Sequence, residues 1–127
     1  MSPVIRQHQD IPPQQAVKVK TVLEAENITV HVVGFRGRAK ATLREATTGK
    51  PIVGENVEFY LNGTDAHLGD KLTDGQGVAA YESGGHILKL QEAVQAWQEG
   101  YTARYRGSDK YEPAPDSTGN VNLIPTV

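Results

Sequence analysis

Three aspartates, Asp65, Asp70 and Asp74, fall close together in the middle of this chain, with His67 among them. Hard cations such as calcium collect carboxylates and carbonyls from loops, so this stretch is the best place to look for a metal. Its spacing is not that of a helix-loop-helix calcium loop, however, and aspartate is also a common turn former. No metal and no cofactor are therefore assigned, and His67 is read as a surface histidine. Aromatic rings are the second resource. Their flat faces suit sugar rings, and their polar tips offer hydrogen bonds. Trp97, Tyr105 and Tyr111 could line such a platform. Core packing near the last strands is the competing role, most of all for Trp97, the only tryptophan, which lies on an apolar stripe. Tyr60 and Tyr111 are expected to be the exposed rings and stand as surface-binding candidates.

Catalysis asks for a nucleophile with its base, a carboxylate pair or a metal. The sequence contains no G-x-S-x-G, no H-E-x-x-H, no P-loop and no dinucleotide glycine fingerprint. With no cysteine, thiol nucleophiles, disulfides, Cys-ligated zinc and iron–sulfur clusters are all excluded. The carboxylates and histidines fall on turns or on the outward side of alternating segments, where solvated surface is their ordinary role. We expect a non-enzymatic protein and name no catalytic residue.

Charge and length narrow the partners. Thirteen Lys and Arg against 15 Asp and Glu give a net charge of −2, so no basic field for nucleic acid is present. No run approaches the ~20 apolar residues of a membrane helix. The stretch Met1 to Asp10 lacks the apolar core of a signal peptide, so self-directed export and membrane insertion are not expected. At 127 residues the chain suits one domain.

The elements that must hold these side chains are mostly strands. Residues 1–16 carry Pro3, Pro12, Pro13 and four glutamines without apolar periodicity, and read as a flexible, solvated, partly polyproline-like arm. Residues 17–127 form the domain, rich in the β-branched side chains that favour a pleated surface. Val17, Val19, Thr21 and Leu23 alternate with Lys18, Lys20 and Val22 in a first strand, continued by Ile28, Val30 and Val32. Ala39, Ala41 and Leu43 alternate with charged neighbours, the cleanest such pattern in the chain. Val57, Phe59 and Leu61 oppose Glu58 and Tyr60 in a strand that ends at the turn pair Asn62-Gly63. Asp74-Gly75-Gln76-Gly77 separates a short strand near Leu68 to Thr73 from Val78 to Tyr81. Between Gly84 and Gly100, Ile87, Leu90, Val94 and Trp97 recur at helical intervals, which predicts a short helix near 87–98. Tyr101, Ala103 and Tyr105, then Val121 and Leu123, mark two closing strands. Turns every ~8–12 residues and seven or eight strands predict an all-β sandwich.

Three ordered blocks resemble the bacterial immunoglobulin-like (Big-type) family: Gly49-Lys50-Pro51-Ile52-Val53-Gly54 with Val57-Glu58-Phe59, Thr73-Asp74-Gly75-Gln76-Gly77-Val78-Ala79, and Gly100-Tyr101-Thr102-Ala103-Arg104-Tyr105 running on to Tyr111. The resemblance spans about residues 20 to 127. It departs from the family at 84–98, where the family has only a few residues. It implies an immunoglobulin-like Greek-key sandwich in which Tyr101 returns its hydroxyl to upstream backbone as a tyrosine corner.

Members of this family serve as spacers and adhesive modules in bacterial surface proteins, and as decorations on tailed-phage virions. The arm makes the virion case the expected one. By that resemblance Ser2, Pro3, Val4, Ile5, Arg6, Ile11, Pro12 and Pro13 bind the capsid or another virion protein, while the domain projects toward a host cell-surface glycan or protein. The alternative is an extracellular or cell-surface spacer or adhesion module of a larger bacterial protein, with carbohydrate as a candidate ligand. A related class of surface sandwiches forms Lys–Asn isopeptide bonds beside a buried carboxylate. Lys20, Asn122 and Glu58 are the matching types here, but the alternation turns Lys20 and Glu58 outward. The sequons at Asn27 and Asn62 matter only in a glycosylating compartment.

Overall fold

The computed structural model describes residues 17–31, 36–63, 66–87 and 98–124. Nine strand segments follow in chain order: β1 (Thr21–Ala25), β2 (Ile28–His31), β3 (Arg36–Glu45), β4 (Asn56–Leu61), β5 (Ala66–Leu72), β6 (Val78–Ile87), β7 (Tyr101–Arg104), β8 (Ser117–Gly119) and β9 (Val121–Ile124). They build an antiparallel sheet in the order β1-β3-β6, another in the order β5-β4-β7-β8, and a parallel pair β2-β9. The protein is an all-β sandwich.

That the described residues hold nine segments, against seven or eight strands expected, has a local cause. β1 and β2 are one stretch that changes partners at Glu26-Asn27, leaving β3 for β9. β8 and β9 are another, broken at Asn120, leaving β7 for β2. Side chains hold both breaks: the Ser117 hydroxyl accepts the Ala25 N–H at 2.9 Å, and the Asn27 carbonyl oxygen accepts the Asn120 N–H at 3.0 Å.

The expected alternation puts Ala39, Ala41 and Leu43 inside, all essentially fully buried. They face a layer built from Val57, Phe59, Leu61, Tyr101, Ala103 and Tyr105, equally buried. Small side chains on one sheet leave room for rings from the other, as close packing requires. The Phe59 ring lies 6.1 Å from both the Tyr81 and the Tyr101 centroid, within the range of favourable aromatic pairs.

Tyr101 does return its hydroxyl to upstream backbone. Its proton is shared between the Glu26 carbonyl and the Lys40 carbonyl, the latter at 2.7 Å, and its oxygen accepts the Lys40 N–H at 3.2 Å. A side chain of one sheet thus fastens the opposite sheet at the point where β1 becomes β2. Gly119 packs against this tie, since a Cβ there would sit 2.5 Å from the Glu26 oxygen and 2.6 Å from the Tyr101 ring.

Asp74-Gly75-Gln76-Gly77 turns as expected. The Asp74 carboxylate accepts the N–H groups of Gln76 at 2.8 Å and Val78 at 3.0 Å, and these hold its pKa below the ordinary value. Gly77 takes φ 79°.

Two expectations are corrected. Val17 lies in phase with Thr21 and Leu23 yet is 87% exposed, because the ladder with β3 begins only at Thr21. Before it, Val19 makes a single bridge to Tyr111, bonding Lys110 and Glu112 backbone at 3.0 and 2.8 Å. The segment expected to open a helix near 87 instead prolongs β6 through Ile87, which pairs with Arg36 of β3. At Ile87 itself the ladder to β3 takes precedence, so the expected helix does not begin there. Gln98 and Glu99 are helical, and 88–97 lie outside the described residues.

Candidate functional site

β4 and β7 sit in the middle of the four-stranded sheet. Their inward residues make the core, so by the period of two their alternates Glu58, Tyr60, Thr102 and Arg104 share the outer face. Tyr60 is the centre of what forms there. Its ring carries the Arg104 guanidinium on one side, 4.8 Å from the centroid, and lies 5.0 Å from the His67 ring of β5. Its hydroxyl donates to Glu58 and accepts from Arg106 at 3.4 Å.

Two Arg–carboxylate pairs flank the ring. Arg104 clasps Asp116 with Nε at 3.2 Å from both carboxylate oxygens and Nη2 at 2.8 Å from one. Arg106 Nε meets Glu58 at 2.7 Å. The Arg106 guanidinium holds the Glu58 carboxyl below its ordinary value, with help from the Tyr60 hydroxyl and against the opposing effect of burial. Arg104 is pushed the other way by Asp116 and keeps its proton more firmly than usual. At the edge, His67 Nε2 lies 2.6 Å from Asp70.

Tyr60, Asn62, Thr102, Arg104, Asp116 and Thr118 line a groove of about 480 Å³ across β4, β7 and β8. Thr102 donates to the Asn62 side-chain oxygen at 2.5 Å and lies 3.4 Å from the Thr118 hydroxyl. The Asn62 amide in turn donates to the Glu99 carbonyl at 2.9 Å. The groove is polar, nearly neutral and internally braced. Such a surface can hold a ligand by hydrogen bonds.

The sequence candidates fare unequally. Tyr60 is in the groove but half-buried, with the Arg104 guanidinium over its ring and the His67 ring 5.0 Å away, so it is a wall and a brace of the groove. Tyr111 is half-buried against the core beside the Val19 bridge, with the Lys110 ammonium 5.5 Å from its ring. Tyr105 is core: it is 2% exposed and donates to Glu55 at 2.7 Å. Burial, reinforced by the Glu55 carboxylate, pushes its pKa up to about 12.

Of the aspartates, Asp70 is engaged by His67 and Asn56, and Asp74 by its own turn. Among the described residues no group of three or more such side chains gathers in a metal-holding cluster. Lys20 and Asn122 are both exposed and not brought together, since Asn122 pairs with Thr29. Asp65, Trp97 and the arm residues Ser2, Pro3, Val4, Ile5, Arg6, Ile11, Pro12 and Pro13 lie outside the described residues.

Sequence reasoning offered none of Asn62, Thr102, Arg104, Arg106, Asp116 and Thr118 as a binding residue. The alternation did place Glu58 and Tyr60 on one side and Thr102 and Arg104 on one side. What it lacked was the neighbour relation between β4, β7 and β8. Neither a family model nor a curated protein matches this chain.

Proposed function

We propose that this chain is a non-enzymatic interaction module of immunoglobulin-like type, docked by its N-terminal arm on a virion shell and carrying its sandwich outward. Strand order supports the immunoglobulin-like part. β1-β3-β6 opposite β5-β4-β7-β8 follows the A-B-E and C′-C-F-G orders of variable-type immunoglobulin sheets. Glu58, the least exposed carboxylate of the outer face, is kept ionised by Arg106, the reverse of what a general acid needs.

The polarity of the sandwich among the described residues supports the docking reading. The described chain enters at Val17, beside the Lys110–Glu112 loop, at the pole where β7 ends and β8 begins. It leaves along β9 toward the opposite pole, parallel to β2. An arm held at the first pole therefore points the second away from its anchor. The same polarity suits the second reading, an extracellular spacer or adhesion domain joined head to tail to others.

Deletion of residues 2–15 separates them. The shortened protein should keep its thermal transition and lose binding to purified particles. Full-affinity binding without the arm would refute arm docking and favour the spacer.

A further inference from the structure

We propose that the groove between Tyr60 and Thr118 is a binding site for a neutral glycan. The inference rests on the reading of the chain as an interaction module and names the ligand class of that face. The groove's volume of about 480 Å³ lies inside the ~300–1,000 Å³ range of small-ligand sites. Its lining selects the chemistry. An apolar ligand finds one aromatic wall, Tyr60, over which the Arg104 guanidinium already sits and beside which the His67 ring lies at 5.0 Å. An anion finds Arg104 already clasped by Asp116, and a cation finds Asp116 already clasped by Arg104.

A polyhydroxylated neutral ligand finds what it needs. The Arg104–Asp116 pair is neutral as a whole, yet it presents N–H donors and carboxylate lone pairs side by side, with 37% and 45% of the two side chains exposed. A guanidinium has five N–H groups and Asp116 engages two of its nitrogens, so donors remain. The Thr102 and Thr118 hydroxyls continue the row at 3.4 Å spacing. Vicinal sugar hydroxyls both donate and accept, and match such a row of paired donors and acceptors.

The groove is also preorganised. The Tyr60 ring holds the guanidinium from below, the Asp116 fork fixes its plane, and all the lining residues stand on or beside strands of one sheet. Little side-chain freedom is left to lose on binding. Tyr60 is a positioning residue for Arg104.

The test is a titration of the ¹⁵N-labelled full-length chain with maltotriose, cellotriose and mannotriose as the hexose arm, and chitotriose as the N-acetylhexosamine arm. Sialyllactose and inorganic phosphate serve as charged comparators. Saturable shifts of the Asn62, Thr102, Arg104 and Thr118 amides with a neutral sugar are expected, and the responding arm identifies the glycan source. Asp116→Asn and Thr118→Val should each weaken binding about tenfold, the order expected for one well-made hydrogen bond.

Val22→Thr, on the outer face of the other sheet, should leave binding unchanged. The amide spectrum of each variant reports its folding independently of binding. Silence with every neutral sugar, response only to sialyllactose or phosphate, or shifts away from these residues would each overturn the proposal. Arm deletion reads particle docking and this titration reads the groove, so either can fail while the other stands.

Discussion

β4 is a strand with two lives. Its inward residues Val57, Phe59 and Leu61 are buried against rings and methyl groups, while its outward Glu58 and Tyr60 stand one residue away in a web of ion pairs and hydrogen bonds. The inward side is held by area removed from water and by close packing, which fall off steeply when a shape is changed. The outward side is held by exposed and half-exposed charges, each pair worth ~0–1 kcal/mol because water competes for both partners. A single strand therefore separates stability from recognition: chemistry on the outer face can be varied at small cost to the fold. This contrast can be broken or sharpened by mutation.

The largest effect should come from Phe59→Ala, which empties the site between Tyr81 and Tyr101. Deleting a fully buried ring should cost about 3–5 kcal/mol in urea unfolding. A loss under about 1 kcal/mol would mean that the inner side is not the load-carrying one.

Next is Tyr101→Phe, which keeps the ring and removes the hydroxyl tie to Glu26 and Lys40. Because carbonyls are left without that partner, the loss should be about 1–3 kcal/mol. A neutral result would show the corner to be dispensable.

The smallest is Arg106→Gln on the outer face, a loss well below that of Tyr101→Phe near neutral pH, because water screens the pair. Its signature is in the pH dependence. Glu58 titrates below 4.5 in the folded protein, so the unfolded chain takes up its proton first. The contribution of the pair is therefore fully present above that ordinary value and is lost as pH falls through the folded one. In Arg106→Gln the acid-side loss should shrink, as read from unfolding midpoints across pH and from the Glu58 carboxyl resonance. A wild-type Glu58 titrating at or above 4.5 would contradict the arrangement.

How much of this was legible in the sequence follows the same division. The inner side was, because burial leaves a period-two trace within each strand: Ala39, Ala41 and Leu43, or Val57, Phe59 and Leu61, announce themselves locally. So did the turn at Asp74, which rests on residue types whose local chemistry is narrow, whereas the role expected of Tyr101 came from the resemblance of its block to the immunoglobulin-like pattern. The outer site was not. Tyr60, Arg104 and Asp116 come from separate parts of the chain, and their meeting depends on which strands are neighbours. The partner change at Glu26-Asn27 did leave a trace, since the inward phase moves from the odd positions Thr21 and Leu23 to the even position Ile28, but a phase shift does not say which strand becomes the new partner. Of the apolar spacing that begins at Ile87, only Ile87 itself lies among the described residues, and it follows its β3 partner.

The parallel pairing of β2 with β9 has a mechanical consequence. Tension applied through Val17 and Ile124 draws β2 toward its own start and β9 toward its own end, in opposite directions along strands that run the same way. The four residue pairs from Ile28–Val121 to His31–Ile124 are then loaded together rather than unzipped one after another. A pull along the chain meets the clamp in shear, the geometry in which hydrogen bonds share the force. A domain tethered at one pole and tugged at the other would yield late and abruptly, not by gradual peeling.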